Sequence, residues 1–98
     1  MRFDWDDTKA EANRRKHGVG FDEAATVWQD PFRYSFHDVD HSEREERRIM
    51  IGMSERDRLL FVSYQEFEDD AVIRLISTRR ATRNERSSHE QRIIDRFR

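Results

Sequence analysis

No cysteine occurs among the 98 residues, which excludes a disulfide framework and any thiolate metal site. The sequence also lacks an apolar run long enough to span a membrane, and no N-terminal stretch reads as a signal peptide. The cytoplasm is therefore the expected compartment, and no membrane partner is expected. A phosphate-cradling glycine loop, a G-x-S-x-G elbow and a C-x-x-C pair are all missing. Nor is there an excess of positive charge. Nineteen Lys and Arg stand against 21 Asp and Glu, a net −2, whereas nucleic-acid-binding domains are usually basic.

What is present is unevenly distributed. The hydrophobic fraction is 35% and the charged fraction 41%, a balance that approaches the composition of disordered chains. Seven Phe, two Trp and two Tyr still supply apolar surface for one small core. The length predicts a single domain over residues 1–98 with a thin core, since a domain of this size buries only about 60–65% of its unfolded surface. Residues 79–98 carry seven Lys and Arg against three Asp and Glu, while residues 1–78 carry twelve against eighteen. The last segment is thus +4 on a chain otherwise −6, an electrostatic footprint for an anionic ligand or for an acidic surface.

The hydrophobic periods predict one α+β domain in the order β-α-α-β-β-β-β-α. "RFDW" reads as a short strand and "DWDDTKAEANRRKHG" as a helix capped by Asp6 or Asp7, with Thr8 and Glu11 at capping-box spacing and Gly18 as a left-handed stop. "FDEAATVWQ" places Phe21, Ala24, Val27 and Trp28 on one helical stripe, ended by Asp30-Pro31. The period then changes to two through "RYSFH", "RRIMIGMS", "RLLFVSYQE" and "AVIRLIST", whose spacing predicts an antiparallel meander. "ATRNERSSHEQRIIDRFR" closes as a helix with Ala81, Glu85, His89, Ile93 and Phe97 along one face. The helices are expected on one face of the sheet, leaving the other face or its rim for function.

Several clusters carry chemistry. Lys9, Asn13, Lys16 and His17 share one face of the first helix; the alternative is that Lys16 and His17 only complement the helix dipole while Asn13 bonds to a nearby loop. Glu45 and Arg47 alternate on the third strand and point to the same side, as a surface ion pair or as a base beside a phosphate-binding cation. Arg74 must face opposite to Ile73 and Leu75. Arg79, Arg80 and Arg83 follow at the strand-to-helix junction, where a helix N-terminus is already partly positive. Their presence calls for an anion, either a protein carboxylate such as Glu85 or an RNA phosphate. "HDVDH" (His37 to His41) has metal-like composition but reads as strand end and loop with no third ligand cluster, so no metal and no cofactor is predicted. His89 reads as a hydrogen-bonded, half-buried ring.

These blocks resemble the BrnT toxins. The resemblance rests on "FDWDDTKAEANRRKHGVGFDEA", "EERRIMIGMSERDRLLFVSY" and "IRLISTRRATRNE", in order and at family spacing from Phe3 to about His89. Gly20 stands where Ser is frequent, "STRR" replaces the commoner "SARR", and His89 takes a place where an aromatic hydroxyl is common. The resemblance implies a RelE-like α+β fold and an endoribonuclease toxin of a type II toxin–antitoxin pair. Such a toxin inhibits translation, works without metal, and is neutralised by a small DNA-binding, BrnA-like antitoxin in a higher-order assembly. On that reading the ribose 2′-OH attacks the adjacent phosphorus and expels the 5′-oxygen. Arg79 and Arg47 are the expected phosphate-stabilising groups, with Arg58, Arg80 and Arg83 as substrate-binding helpers. Glu45 is the expected base, Lys16 or His17 the acid, and Tyr64 a base-stacking or proton-sharing group. The alternative is a non-catalytic module whose arginine face binds an acidic partner or nucleic acid.

Overall fold

The computed structural model describes residues 1–40, 46–69 and 71–98. Helix α1 (Asp7–His17) starts where the Asp6 carboxylate accepts the Lys9 N–H at 3.0 Å, and stops at Gly18, whose φ of 71° lets its N–H reach the Arg14 carbonyl. A residue with a Cβ disfavours that backbone region, which is why glycine ends the helix. The Thr8–Glu11 capping box does not form. Thr8 is already inside the helix, and Glu11 pairs instead with Arg14 at 2.8 Å and Arg15 at 3.4 Å. Helix α2 (Phe21–Ala25) continues as a 3-10 turn over Thr26–Gln29. There the Thr26 hydroxyl donates to the Glu23 carbonyl at 2.6 Å, a local bond that competes with regular helix.

Five strands follow from the period-two runs and the N-terminal segment: β1 (Arg2–Asp4), β2 (Tyr34–His37), β3 (Arg48–Met53), β4 (Leu59–Phe67) and β5 (Val72–Arg80). They form one sheet in the order β1-β5-β4-β3-β2. The β2 to β5 part is the expected antiparallel meander, and β1 pairs in parallel with β5 through Arg2–Val72, Phe3–Ile73 and Asp4–Arg74. The chain closes with α3 (Arg83–Arg96). Fold class and element order are as the sequence predicts.

The sheet has two differently covered faces. On the first, Met50, Leu60, Val62, Tyr64, Ile73 and Leu75 pack against Val19, Phe21, Ala24 and Val27 from the α1–α2 side. Close approach of the 3-10 turn to β3 depends on Gly52, where a Cβ would stand 2.5 Å from Val27 Cγ1. Asn13 closes the edge of β5 beyond the short β1. Its amide nitrogen donates to the Thr78 and Val19 carbonyls and its oxygen accepts the Thr78 N–H, so one side chain replaces a strand rung.

On the second face, Ile49, Ile51 and Leu59 form a smaller cluster with Tyr34, Met53, Phe61 and Ala81. Helix α3 lies across this cluster, opposite to α1 and α2, so the helices do not share one face. Its attachment is largely polar. His89 Nε2 sits 2.9 Å from Asp30 Oδ2, the Tyr34 hydroxyl reaches the Glu85 carbonyl at 3.4 Å, and Thr82 forms a reciprocal capping box with Glu85. The ring of His89 is buried, as a hydrogen-bonded imidazole rather than an exposed catalyst. Asp30 is a junction: it also accepts the N–H groups of Phe32 (2.8 Å) and Met53 (2.7 Å).

Candidate nucleic-acid interface

Strand β5 runs two residues further than its apolar run suggests, through Arg79 and Arg80. The two arginines are therefore on opposite faces, not together at a junction. Arg79 pairs with Phe61 and lies on the second face, its guanidinium carbon 3.9 Å from the Phe61 ring centre. Arg80 pairs with Leu60 and points to the first face. A register shift at Ser63/Tyr64 leaves Ile76 without a cross-strand partner: Ser63 pairs with Ser77, but Tyr64 pairs with Leu75. This bulge resets the alternation, as inserted residues do. Arg74, five positions from Arg79, would otherwise face the other way; it pairs with Gln65 on the same face as Arg79.

The Asp38 N–H donates to the Arg47 carbonyl at 2.9 Å and continues the β2–β3 ladder by one rung. Alternation then carries Arg47 to the face opposite Arg48, again the second face. Strand β5 thus delivers Arg74 and Arg79, and the residue preceding β3 delivers Arg47, to one face around Ser63 and Ser77. Helix α3 covers only the Arg79 end.

The charges are not idle. Both terminal nitrogens of Arg79 donate to Glu85, at 2.9 and 3.0 Å, and the same carboxylate accepts the Thr82 N–H at 2.8 Å. Burial alone would raise the pKa of Glu85, but the bonds from Arg79 and Thr82 outweigh it and hold it below the usual carboxylate value. Arg74 pairs with Asp4 at 3.2 Å with both side chains 43% exposed, a pair of small energetic weight.

The remaining expected site residues are dispersed. Glu45 and His41 lie outside the described residues. Arg58 donates Nε to Glu23 at 3.0 Å, with a second contact from Nη2, and Nη2 also reaches the Gly18 carbonyl. The hydrogen bond from Arg58 is the main reason the buried Glu23 titrates below its ordinary value. Arg58 therefore ties the β3–β4 turn to α2. Tyr64 packs in the first-face core, edge-on to Trp28 at 4.9 Å, and burial raises its phenol pKa. Lys16 and His17 end α1 at the first-face side of the β5 edge, exposed, and Arg83 opens α3, also exposed. The structure thus brings Arg47 and Arg79 to one face and adds Arg74, Gln65, Ser63 and Ser77, which the sequence reading did not select. The available signal for Arg74 was a lone charge inside an apolar strand. Among the described residues no three His, Asp or Glu side chains are grouped for a metal, and no helix is long and apolar enough to cross a membrane.

A five-stranded α+β sheet that presents arginines on the face opposite its main helical layer defines a small protein with an anion-receptive surface. The chain belongs to the family described as the ribonuclease toxin, BrnT, of type II toxin–antitoxin systems, which matches residues 5–85. Its fold is similar to the crystal structure of the Brucella abortus ribonuclease toxin, BrnT, with a TM-score of 0.61 and 20% identity over 85% of this chain and 99% of the other. No curated protein matches the sequence. The chain is accordingly a ribonuclease toxin of the type II class, a family whose members have a cognate antitoxin and an RNA target.

Proposed function

We propose that the chain is a metal-independent endoribonuclease that inhibits translation in the cytoplasm, with its substrate phosphate held on the second face of the sheet. The observation that supports this reading is that Arg47, just before β3, and Arg74 and Arg79, both on β5, share that face. Arg79 and Arg47 stabilise the charge that grows on the phosphorus-bound oxygens as the 2′-OH attacks, with Arg74 as a third cation. The Arg79 fork already holds a planar carboxylate, and a phosphate presents the same pair of acceptor oxygens. Glu45, two residues before Arg47, is the proposed base for the 2′-OH. A BrnA-like, DNA-binding antitoxin is the proposed neutralising partner.

The test is incubation of purified, antitoxin-free protein with RNA in excess chelator, followed by end-group analysis. Cyclic phosphate ends that persist in chelator, and are lost in a folded Arg79→Ala variant, support the scheme. Strict dependence on a divalent ion, or full turnover by that variant, overturns it.

One observation favours a non-catalytic reading, an arginine-rich module for an acidic partner. Arg58, Arg74 and Arg79 each already hold an internal carboxylate. Growth arrest on expression without the antitoxin separates the two, because a plain adaptor would cause none.

A further inference from the structure

The sheet-facing stripe of α3 changes character along its length. Glu85, His89, Arg92 and Arg96 succeed one another at i, i+4, i+7 and i+11, so they share one helical face. The first two are spent on the sheet, through Arg79 and Asp30. The last two run out past β2, where a packing helix would otherwise carry apolar side chains. There they border a cleft of about 320 Å³ lined by Pro31, Phe32, Arg33, Arg92, Asp95 and Arg96.

Three guanidinium groups from two separate elements meet at this cleft, and among the described residues none has a carboxylate partner. Arg33 donates to the Asp30 carbonyl at 3.1 Å, Arg92 rests 4.9 Å from the Tyr34 ring centre, and the Arg96 side chain has no polar partner among the described residues. The one carboxylate in the lining, Asp95, accepts from Gln91 at 2.9 Å and faces Arg98 at 3.9 Å. In contrast, Arg58, Arg74 and Arg79 all hold carboxylates. Cations in the last turn of a helix complement its dipole, which accounts for Arg96 alone. It does not account for Arg33, which is on the turn before β2.

Aromatic surface surrounds the same place. Phe32 and Phe97 approach to 6.0 Å with Phe97 76% exposed, and Tyr34 stacks on the exposed Phe36 at 6.2 Å. Guanidinium groups interleaved with exposed rings are the chemistry that grips single-stranded nucleic acid, phosphate on the cations and bases on the rings. From Glu85, beside Arg79, to Arg96 the helix advances ~16 Å at 1.5 Å per residue. A strand held at Arg79 can therefore reach the cleft within a few nucleotides.

We infer that the cleft between the Pro31–Arg33 turn and the end of α3 is a second RNA subsite, which binds the phosphate and base of a nucleotide flanking the cleaved linkage. The inference rests on the ribonuclease reading above and makes the substrate a single strand laid along α3.

The test compares Arg33→Gln and the double variant Arg92→Gln/Arg96→Gln with the parent, using 2′-O-methyl RNA oligomers that cannot be cleaved. The oligomers are about twelve nucleotides long, within the site sizes of single-strand binders, and about two, too short to span the ~16 Å from Arg79 to the cleft. Both variants should bind the long oligomer about tenfold more weakly and the short one as the parent does. The salt slope should become shallower by ~0.7 for each phosphate that a variant no longer neutralises. Unaltered thermal unfolding confirms that the fold is kept. If both variants match the parent on the long oligomer while Arg79→Ala loses it, the subsite is overturned and the ribonuclease reading stands. If they keep RNA affinity but lose an acidic antitoxin segment, the cleft belongs to a protein partner and the inference fails. A parent that neither binds nor cuts RNA overturns the ribonuclease reading and the subsite together.

Discussion

At the scale of single residues, the polar side chains that look functional in the sequence divide by what they touch. Asn13 is structural: its amide supplies both hydrogen bonds that the Thr78 backbone lacks at the β5 edge, in a buried setting. Asn13→Ala would leave those groups unpaired, and a loss of about 1–3 kcal/mol in stability is expected from urea unfolding. Glu85 is different, because it serves the helix cap and occupies the Arg79 fork at once. Glu85→Gln should lower stability yet leave RNA affinity equal or higher, since it frees Arg79 for phosphate. Filter binding read beside a melting curve checks this, and a parallel fall of both quantities would assign Arg79 to α3 attachment alone.

Among the elements, α3 is held to the sheet mainly through polar groups. It buries only His89 completely. Thr82→Ala removes the cap that accepts the Glu85 N–H at 3.2 Å and should cost about 1 kcal/mol. Hydrogen exchange should show that loss within α3 and not in β4, whose residues carry the main core. The 3-10 turn and β3 form the opposite case. Gly52→Ala forces a Cβ against Val27 and Arg33, and overpacking of this kind costs about 1–3 kcal/mol. The start and stop of α1 were readable in Asp6 and Gly18, because caps are local chemistry. The Thr82–Glu85 box is equally local, but the same carboxylate also fills the Arg79 fork, which only the tertiary structure shows. The length of β5 was not readable: Arg79 and Arg80 lie beyond its apolar run, and pairing with Leu60 and Phe61 is what extends the strand.

For the whole molecule, the pattern of hydrogen-bonded, buried or partly buried carboxylates sets the response to pH. Glu23, Asp30 and Glu85 all titrate below their ordinary values. For Glu23 the cause is the Arg58 bond; for Asp30, burial is outweighed by bonds from Met53, Phe32 and His89. A carboxyl group with a lowered folded pKa stabilises the native state above its unfolded value of about 4 and loses that contribution as pH falls through the folded one. Urea midpoints should hold steady from neutral pH down to about 5 and then fall. The fall should be shallower in Glu23→Gln, from a lower starting stability. The order of elements, the caps of α1, the apolar stripe of α2 and the family blocks were all determined by the sequence itself, since each depends on neighbours a few positions apart. Which arginines stand together was decided only by the tertiary structure. One unpaired residue in β5 reverses the direction of Arg74, and α3 crosses to the second face, because side-chain facing depends on strand register and on pairing with distant parts of the chain.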